Sequence, residues 1–176
     1  MKIPPLDQAT LKSILHYDPE TGTWTWLKRS DVRPQWNGRW AGKRAGYARQ
    51  ATGGGMYWSV RIYDWPFHSG RLAWLYMTGS WPAALVDHKN LDGLDDRWEN
   101  LREATKTQNA ANTAIGSRNK TGFKGVSFSK IAGRYRATIK DGGKQRWLGY
   151  FETPAEAHAA YCRAATEIFG EFARVA

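Results

Sequence analysis

Between residues 123 and 170 the hydrophobic period changes from that of a strand to that of a helix, with glycine and proline between the runs. "FKGVSFS", "GRYRATIK" and "KQRWLGYF" each alternate, which predicts three short strands, and "DGG" between the last two is a hairpin turn signal. Thr153, Pro154 and Glu156 then form the pattern of a capping box with proline at the first helical position. The predicted helix buries Ala157, Ala160, Tyr161, Ala164 and Ile168 and ends at Gly170. Within "RYRATIK" the alternation sets Tyr135, Ala137 and Ile139 on one face and Arg134, Arg136, Thr138 and Lys140 on the other. The apolar face must be covered, and the helix is at hand to cover it. The other face is a basic plate that fits the major groove, where arginine reads guanine edges and lysine holds phosphate. A solvated charged face is the plainer alternative.

A polar, basic, glycine-containing seam at 113–122 precedes this module. Further upstream, Leu11, Ile14 and Leu15 give residues 6–16 the spacing of a short amphipathic helix. "YDPETGTWTWLKR" reads as a turn entering a strand with Trp24 and Trp26 on one face, and "ATGGGMYWSVRIYDW" as a glycine turn entering another. From Lys28 to Arg49 there are seven basic residues against one acid, Asp31, with Trp36 and Trp40 among them. "GRLAWLYMTGSWP" predicts a helix with Leu72, Leu75 and Tyr76 on one face, stopped by Gly79 and Pro82.

Twenty-six Lys and Arg against 16 acids give a formal charge of +10, which points to a polyanionic partner, nucleic acid before membrane. Ten tryptophans among those charges suit stacking as well as core packing. One cysteine, Cys162, excludes an internal disulfide and multi-cysteine zinc sites. The opening "MKIPPLDQ" lacks the apolar core of a signal peptide, and no apolar run reaches bilayer length. The expectation is a soluble cytoplasmic protein with neither a membrane partner nor a small-molecule substrate.

"VDHKNLDGLDDRWENLREATKTQN", residues 86–109, admits two chemical readings. Counted from His88, Asn90, Asp92, Gly93 and Glu99 fall on places of an EF-hand calcium loop. Against it, His88 stands where a carboxylate is needed, and the upstream flank contains Pro82 and a strand-like run. In the second reading "ALVDH" is a strand that delivers Asp87 and His88 at its end, "ENLRE" a second strand and "TKTQNAANT" a helix. Thr105 and Gln108 cap that helix and put Asn109 at its start. One carboxylate and one amide oxygen leave most of a Mg²⁺ shell to water and phosphate, while a histidine takes the proton of an attacking water.

This stretch resembles the HNH endonuclease motif, the ββα-metal fold of phage-encoded homing-type nucleases. The resemblance implies His88 as general base, Asn100 as the asparagine that pins the catalytic loop, and Asp87 and Asn109 as holders of a divalent metal, Mg²⁺ with Mn²⁺ as the alternative. Asn at the last position makes this an H-N-N variant. "DDR" at 95–97 replaces the commoner D-N-R, and "FHSGRLAW" lengthens the usual H-R-L-A-W. "GFKGVSFSKIAGRYRATI", "WLGYFETPAEAHAAYCRAA" and "GEFA" resemble the ethylene-response-factor (Apetala) type DNA-binding domain. That resemblance and the basic plate together nominate Lys124, Arg134, Arg136, Lys140, Arg146 and Trp147 for duplex DNA. Ser127, Ser129 and Ile131 stand where that family has Arg and Trp, so its target sequence does not carry over. His16, His68 and His158 read as packing or surface residues.

The expected fold class is α+β. Residues 1–116 are expected to hold an N-terminal aromatic and basic strand region and a nuclease core at about 84–113. Residues 121–176 are expected to hold a three-stranded antiparallel sheet packed on one helix. The expected function is a metal-dependent DNA endonuclease of bacteriophage type, acting in the cytoplasm of a bacterial host. A DNA-binding regulator with a degenerate site is the first alternative, and an RNA-binding module the second.

Overall fold

The computed structural model describes residues 6–52, 54–116 and 119–174, so Ser117 and Arg118 of the seam lie outside the described residues. The protein is a mixed α+β chain of small antiparallel sheets that divides into two compact units, Met1–Glu103 and Ala104–Ala176.

In the first unit, Asp7 caps α1 (Gln8–Ile14) by accepting from the Thr10 amide at 2.7 Å. The helix is shorter than residues 6–16, because Leu15 takes extended geometry and begins β1 (Leu15–Asp18), which pairs with β2 (Thr23–Trp26). The aromatic strand therefore has a partner that the helical spacing of Leu15 concealed. Trp24 of β2 is fully buried, tilted against Tyr17 at 4.8 Å and edge-on to Tyr76 at 5.6 Å, and its indole N–H donates to Ser69 Oγ. Trp26 is only partly buried.

The basic stretch forms α2 (Pro34–Trp40), with proline in its first turn, and then β3 (Tyr47–Gln50). β3 pairs with β4 (Met56–Ile62), which pairs in turn with β5 (Trp65–His68). α3 (Ser69–Thr78) follows and stops at Gly79, as its sequence predicts. It lays Leu72, Ala73 and Leu75 on a core that also takes in Leu11, Ile14, Val60 and Ile62. β6 (Leu85–His88) pairs with β7 (Leu101–Ala104), and a 3₁₀ turn at Trp98–Asn100 precedes β7.

In the second unit α4 (Lys106–Ala111) has both bonds of the Thr105/Gln108 capping box. Ala111 joins a core with Ile139, Tyr161, Ala165 and Phe169, and so the compact units part upstream of the seam. β8 (Val126–Ser129), β9 (Arg134–Asp141) and β10 (Lys144–Phe151) form an antiparallel sheet in the order β10-β9-β8. α5 (Pro154–Phe169) opens with the Thr153/Glu156 capping box and packs on the sheet. It buries Ala157, Tyr161, Ala164, Ala165 and Phe169, while the expected Ala160 and Ile168 are half-buried at its margin.

Gly125 fixes how closely α5 sits against the loop before β8. Its φ is +74°, and a Cβ there would lie 2.1 Å from the Tyr161 ring. Gly125→Ala therefore combines a left-handed backbone with a collision in the core. It is expected to destabilise the protein by at least about 2 kcal/mol, measured by urea unfolding followed by circular dichroism.

Candidate active site and nucleic-acid interface

β6 ends in Asp87 and His88, and the chain then turns through residues 89–97 before the 3₁₀ turn. This loop is held by its own polar groups. Asn100 is buried; its Oδ1 accepts from the Asn90 amide at 3.0 Å, and its Nδ2 donates to Asn90 Oδ1 at 3.0 Å and to the Asp95 carbonyl at 2.7 Å. Asn90 Nδ2 donates to Asp95 Oδ2 at 2.7 Å, and Asp92 Oδ1 accepts from the Leu94 amide at 2.9 Å. Arg97 grips Asp95 with two nitrogens at 2.8 Å and holds that carboxyl down to about 2.

The side-chain oxygens that a calcium loop would turn inward, on Asn90, Asp92 and Glu99, accept instead from N–H groups of the loop itself, and β6 rather than a helix leads into the loop. Among the described residues no group of three or more His, Cys, Asp and Glu is placed to hold a metal.

The same loop is braced from outside. The Tyr17 hydroxyl donates to the Asp96 carbonyl oxygen at 2.6 Å across 79 residues of sequence, and the Trp98 amide donates to the Pro19 carbonyl at 2.9 Å. Burial, and then the charge of Asp96, push the Tyr17 phenol well above its ordinary range. Gly22, at φ +69°, lies so close that a Cβ would meet the Asp96 carbonyl carbon at 2.4 Å. The β1–β2 turn is therefore a backstop for the loop.

Asp96 is 2% exposed, and its Oδ1 lies 2.9 Å from His88 Nε2. Its Oδ2 is buried without a hydrogen-bond partner among the described residues. A carboxylate so confined is costly, and the imidazole edge is the polar group that offsets it. Asp87, 5% exposed, has Oδ2 at 2.9 Å from two nitrogens of Arg102 on β7. The guanidinium supplies the counter-charge that burial of Asp87 requires; removing one partner of such a pair typically costs about 3–5 kcal/mol.

His88 and Asp96 line a cleft of about 170 Å³ with Tyr57 and His68. His68 stacks on Tyr57 at 4.0 Å, and burial, with Arg71 nearby, holds its imidazole below the ordinary value. His68, expected to be a packing or surface residue, is packed and also lines the cleft of His88. Arg102 and Tyr17 carry no local signal, and Asp96 only its place in the departure from D-N-R. His16 is exposed, whereas His158 lies 3.2 Å from the Lys124 carbonyl and stacks on Tyr161. Asn109 is half-buried on α4 in the second unit.

On the second unit's sheet, the register sets Ser127 and Tyr150 beside Arg136, and Gln145 beside Lys140. A bulge falls between Trp147 and Gly149. It pairs Trp147 with Thr138, on the basic face, and Arg146 with Ile139, on the other. Regular alternation would exchange the two. Trp147 is 62% exposed and meets Tyr150 edge-on at 5.9 Å, so the plate carries aromatic as well as basic groups. Arg134 pairs with Glu152 at 3.0 Å. Lys124 is turned to the end of α4, donating to the carbonyls of Ala111 and Thr113, and burial lowers its pKa. Its observed partners are backbone carbonyls that need a donor.

Residues 68–111 match the family of HNH endonucleases, and residues 121–171 match the AP2 domain. Over 89 residues the chain is 34% identical to Protein 3.8 of Escherichia phage T7, an alignment covering 51% of this chain and 73% of that protein. No helix among the described residues is long and apolar enough to cross a membrane.

The plate can be tested apart from the chemistry. Arg136→Ala combined with Lys140→Ala is expected to lower the slope of log K against log salt for duplex DNA by about 0.9, for the phosphate that Lys140 holds, and to cost about 1–3 kcal/mol in selectivity for the base that Arg136 reads. Both side chains are exposed, so the far-ultraviolet dichroism should stay unchanged. The slope is read from fluorescence anisotropy across a salt series.

Proposed function

Because the chain belongs to the HNH endonucleases and carries an AP2 domain, we propose that it is a metal-dependent DNA endonuclease that hydrolyses phosphodiester bonds, with the C-terminal sheet holding duplex DNA. The observation that carries this reading is the approach of Asp96 to His88 on a loop whose other polar groups are bonded to one another.

In the proposed mechanism His88 takes the proton from the water that attacks phosphorus. Asp96 at Nε2 fixes the rotation of the ring, and Asn100 holds the loop that carries Asp96. By the resemblance to HNH nucleases, Asp87 and Asn109 of a ββα-metal unit at 84–113 are the residues that would hold a divalent cation. The donor set fits: a carboxylate and an amide oxygen are hard ligands suited to Mg²⁺ or Mn²⁺, unlike the thiolate and imidazole sets of structural zinc. When bound, such a cation supplies positive charge to the phosphoryl oxygens and the leaving 3′ oxygen. Arg102 keeps the Asp87 charge compensated inside the protein. Arg136, Lys140 and Trp147 on the plate hold the duplex, phosphate contacts supplying affinity and arginine the reading of bases.

Purified protein is expected to convert supercoiled plasmid to nicked or linear forms only when Mg²⁺ or Mn²⁺ is present. His88→Ala should slow this by roughly 10²–10⁴-fold, the usual contribution of a general base. Its affinity for duplex DNA should stay within about twofold, since the imidazole acts on water and not on the bound ground state. Full cleavage by His88→Ala would assign the base elsewhere. Absence of cleavage by the parent protein with either ion would favour the DNA-binding regulator.

A further inference from the structure

The first unit has a second concave surface, which the nuclease reading leaves without a task. A cavity of about 540 Å³ opens between α2, β3 and the tip of the β4–β5 hairpin. Its walls include Trp36, Trp40, Tyr47 and Tyr63, and Arg29, Arg44 and Arg61 stand among them, against one lining carboxylate, Asp64.

Three of these rings are unusually open to solvent: Trp40 at 38%, Tyr47 at 40% and Tyr63 at 45%. Exposed aromatic area gathered in one concavity marks a binding surface more often than a failure of packing. The cations are arranged on the rings. The Arg29 guanidinium lies 5.4 Å from the Trp36 ring and 5.5 Å from the Tyr63 ring, steered by Asp31, which accepts from it at 2.9 and 2.5 Å. Arg44 lies 4.1 Å over Trp58, a ring outside this cavity, and hydrogen bonding from Arg61 holds the Tyr47 phenol below its ordinary range. Tyr63 and Asp64 form the hairpin tip with φ of +48° and +67°. Glycine and asparagine are the usual occupants of such turns, so an aromatic ring is held at the cavity mouth against a backbone cost.

We infer that this cavity binds an unpaired base of a DNA strand, its ring stacked on the aromatic walls and its phosphates held by the arginines. A duplex offers phosphates and groove edges on a convex surface, while the faces of its bases are covered by their neighbours. Flat rings inside a concavity are useful only to a base whose face is free, and they accept any base because each has a π-face. Guanidinium groups at the same rings suit both the phosphate and the stacked base. The choice of DNA as the strand rests on the nuclease reading. The site itself does not, and binding can be measured without cleavage.

The test uses the full chain in EDTA and a fluorescein-labelled ten-nucleotide oligo-dT, with anisotropy as the readout. The parent protein should bind it. Trp40→Ala and Tyr63→Asn should each weaken that binding roughly five- to hundredfold, the span expected for the loss of one stacked base. Asparagine tolerates the left-handed turn, so Tyr63→Asn removes the ring without straining the hairpin. Affinity for a blunt duplex should change by less than twofold in both variants. Failure of the parent protein to bind oligo-dT, equal binding by both variants, or a parallel loss on duplex would each overturn the assignment. Thymidine monophosphate competing as well as the strand, mole for mole, would overturn it in favour of a free nucleotide. Tighter binding of oligo-rU than of oligo-dT would overturn the choice of DNA. Plasmid cleavage with Mg²⁺ is read separately, so the cavity and the nuclease can fail independently.

Discussion

The carboxylate of Asp96, buried to 2% exposure and set 2.9 Å from His88 Nε2, is the constraint on which the first unit is organised. A charged or strongly polar group in that position has to be partnered on every side the fold can manage. His88 meets its Oδ1 while Oδ2 has no partner among the described residues, and the backbone of the loop is fixed by Tyr17 at the Asp96 carbonyl and by Asn100 at the neighbouring Asp95 carbonyl. The N-terminal hairpin is thereby tied to the chemistry without contributing a reacting group. Its Tyr17 and its turn at Gly22 decide where the Asp96 loop lies, and Trp24 and Tyr76 hold the hairpin in the core.

The second unit solves a different problem with the same economy. Small residues on α5, Ala157, Ala164 and Ala165, let the helix lie close on the sheet, and Tyr161 fills the space left open by Gly125. The opposite face is then free of packing duties and carries charge and aromatic area outward. The bulge in β10 decides which of two adjacent side chains joins that face. It selects Trp147, which adds a stacking surface to the plate of Arg136 and Lys140, and sends Arg146 to the other side.

What was legible in the sequence was local. Both capping boxes, the strands β8 to β10, the end of α3 at Gly79 and the strand that delivers Asp87 and His88 follow from side chains within a few residues of one another. The resemblance to nucleases singled out Asn100 as the pin of the loop, and its three hydrogen bonds fit that task. What was hidden depends on distant partners or on a local irregularity. Leu15 fits helical spacing until Trp26 pairs with it; Tyr17 has no reason to matter until Asp96 arrives beside it; His68 reads as packing until the cleft closes around it. Lys124 sits at a family DNA position, yet the carbonyls at the end of α4 claim its ammonium. Asp96 was visible only as a departure from D-N-R, with no hint that its partner would be the histidine itself.

That departure offers the most direct test of the account. Steady-state cleavage of a short duplex by Asp96→Ala and by Asp96→Asn, beside their unfolding midpoints, separates positioning from mere support of the fold. Asparagine keeps an acceptor oxygen for His88 Nε2 and puts a donor where the partnerless Oδ2 now lies, whereas alanine keeps neither. The account predicts a folded Asp96→Ala protein with kcat down by about tenfold or more at an unchanged KM, as expected when a positioned base loses its geometry. It also predicts that Asp96→Asn recovers most of that rate. A folded Asp96→Ala protein that turns over like the parent would contradict it, because His88 would then need nothing from the loop around which the first unit is arranged.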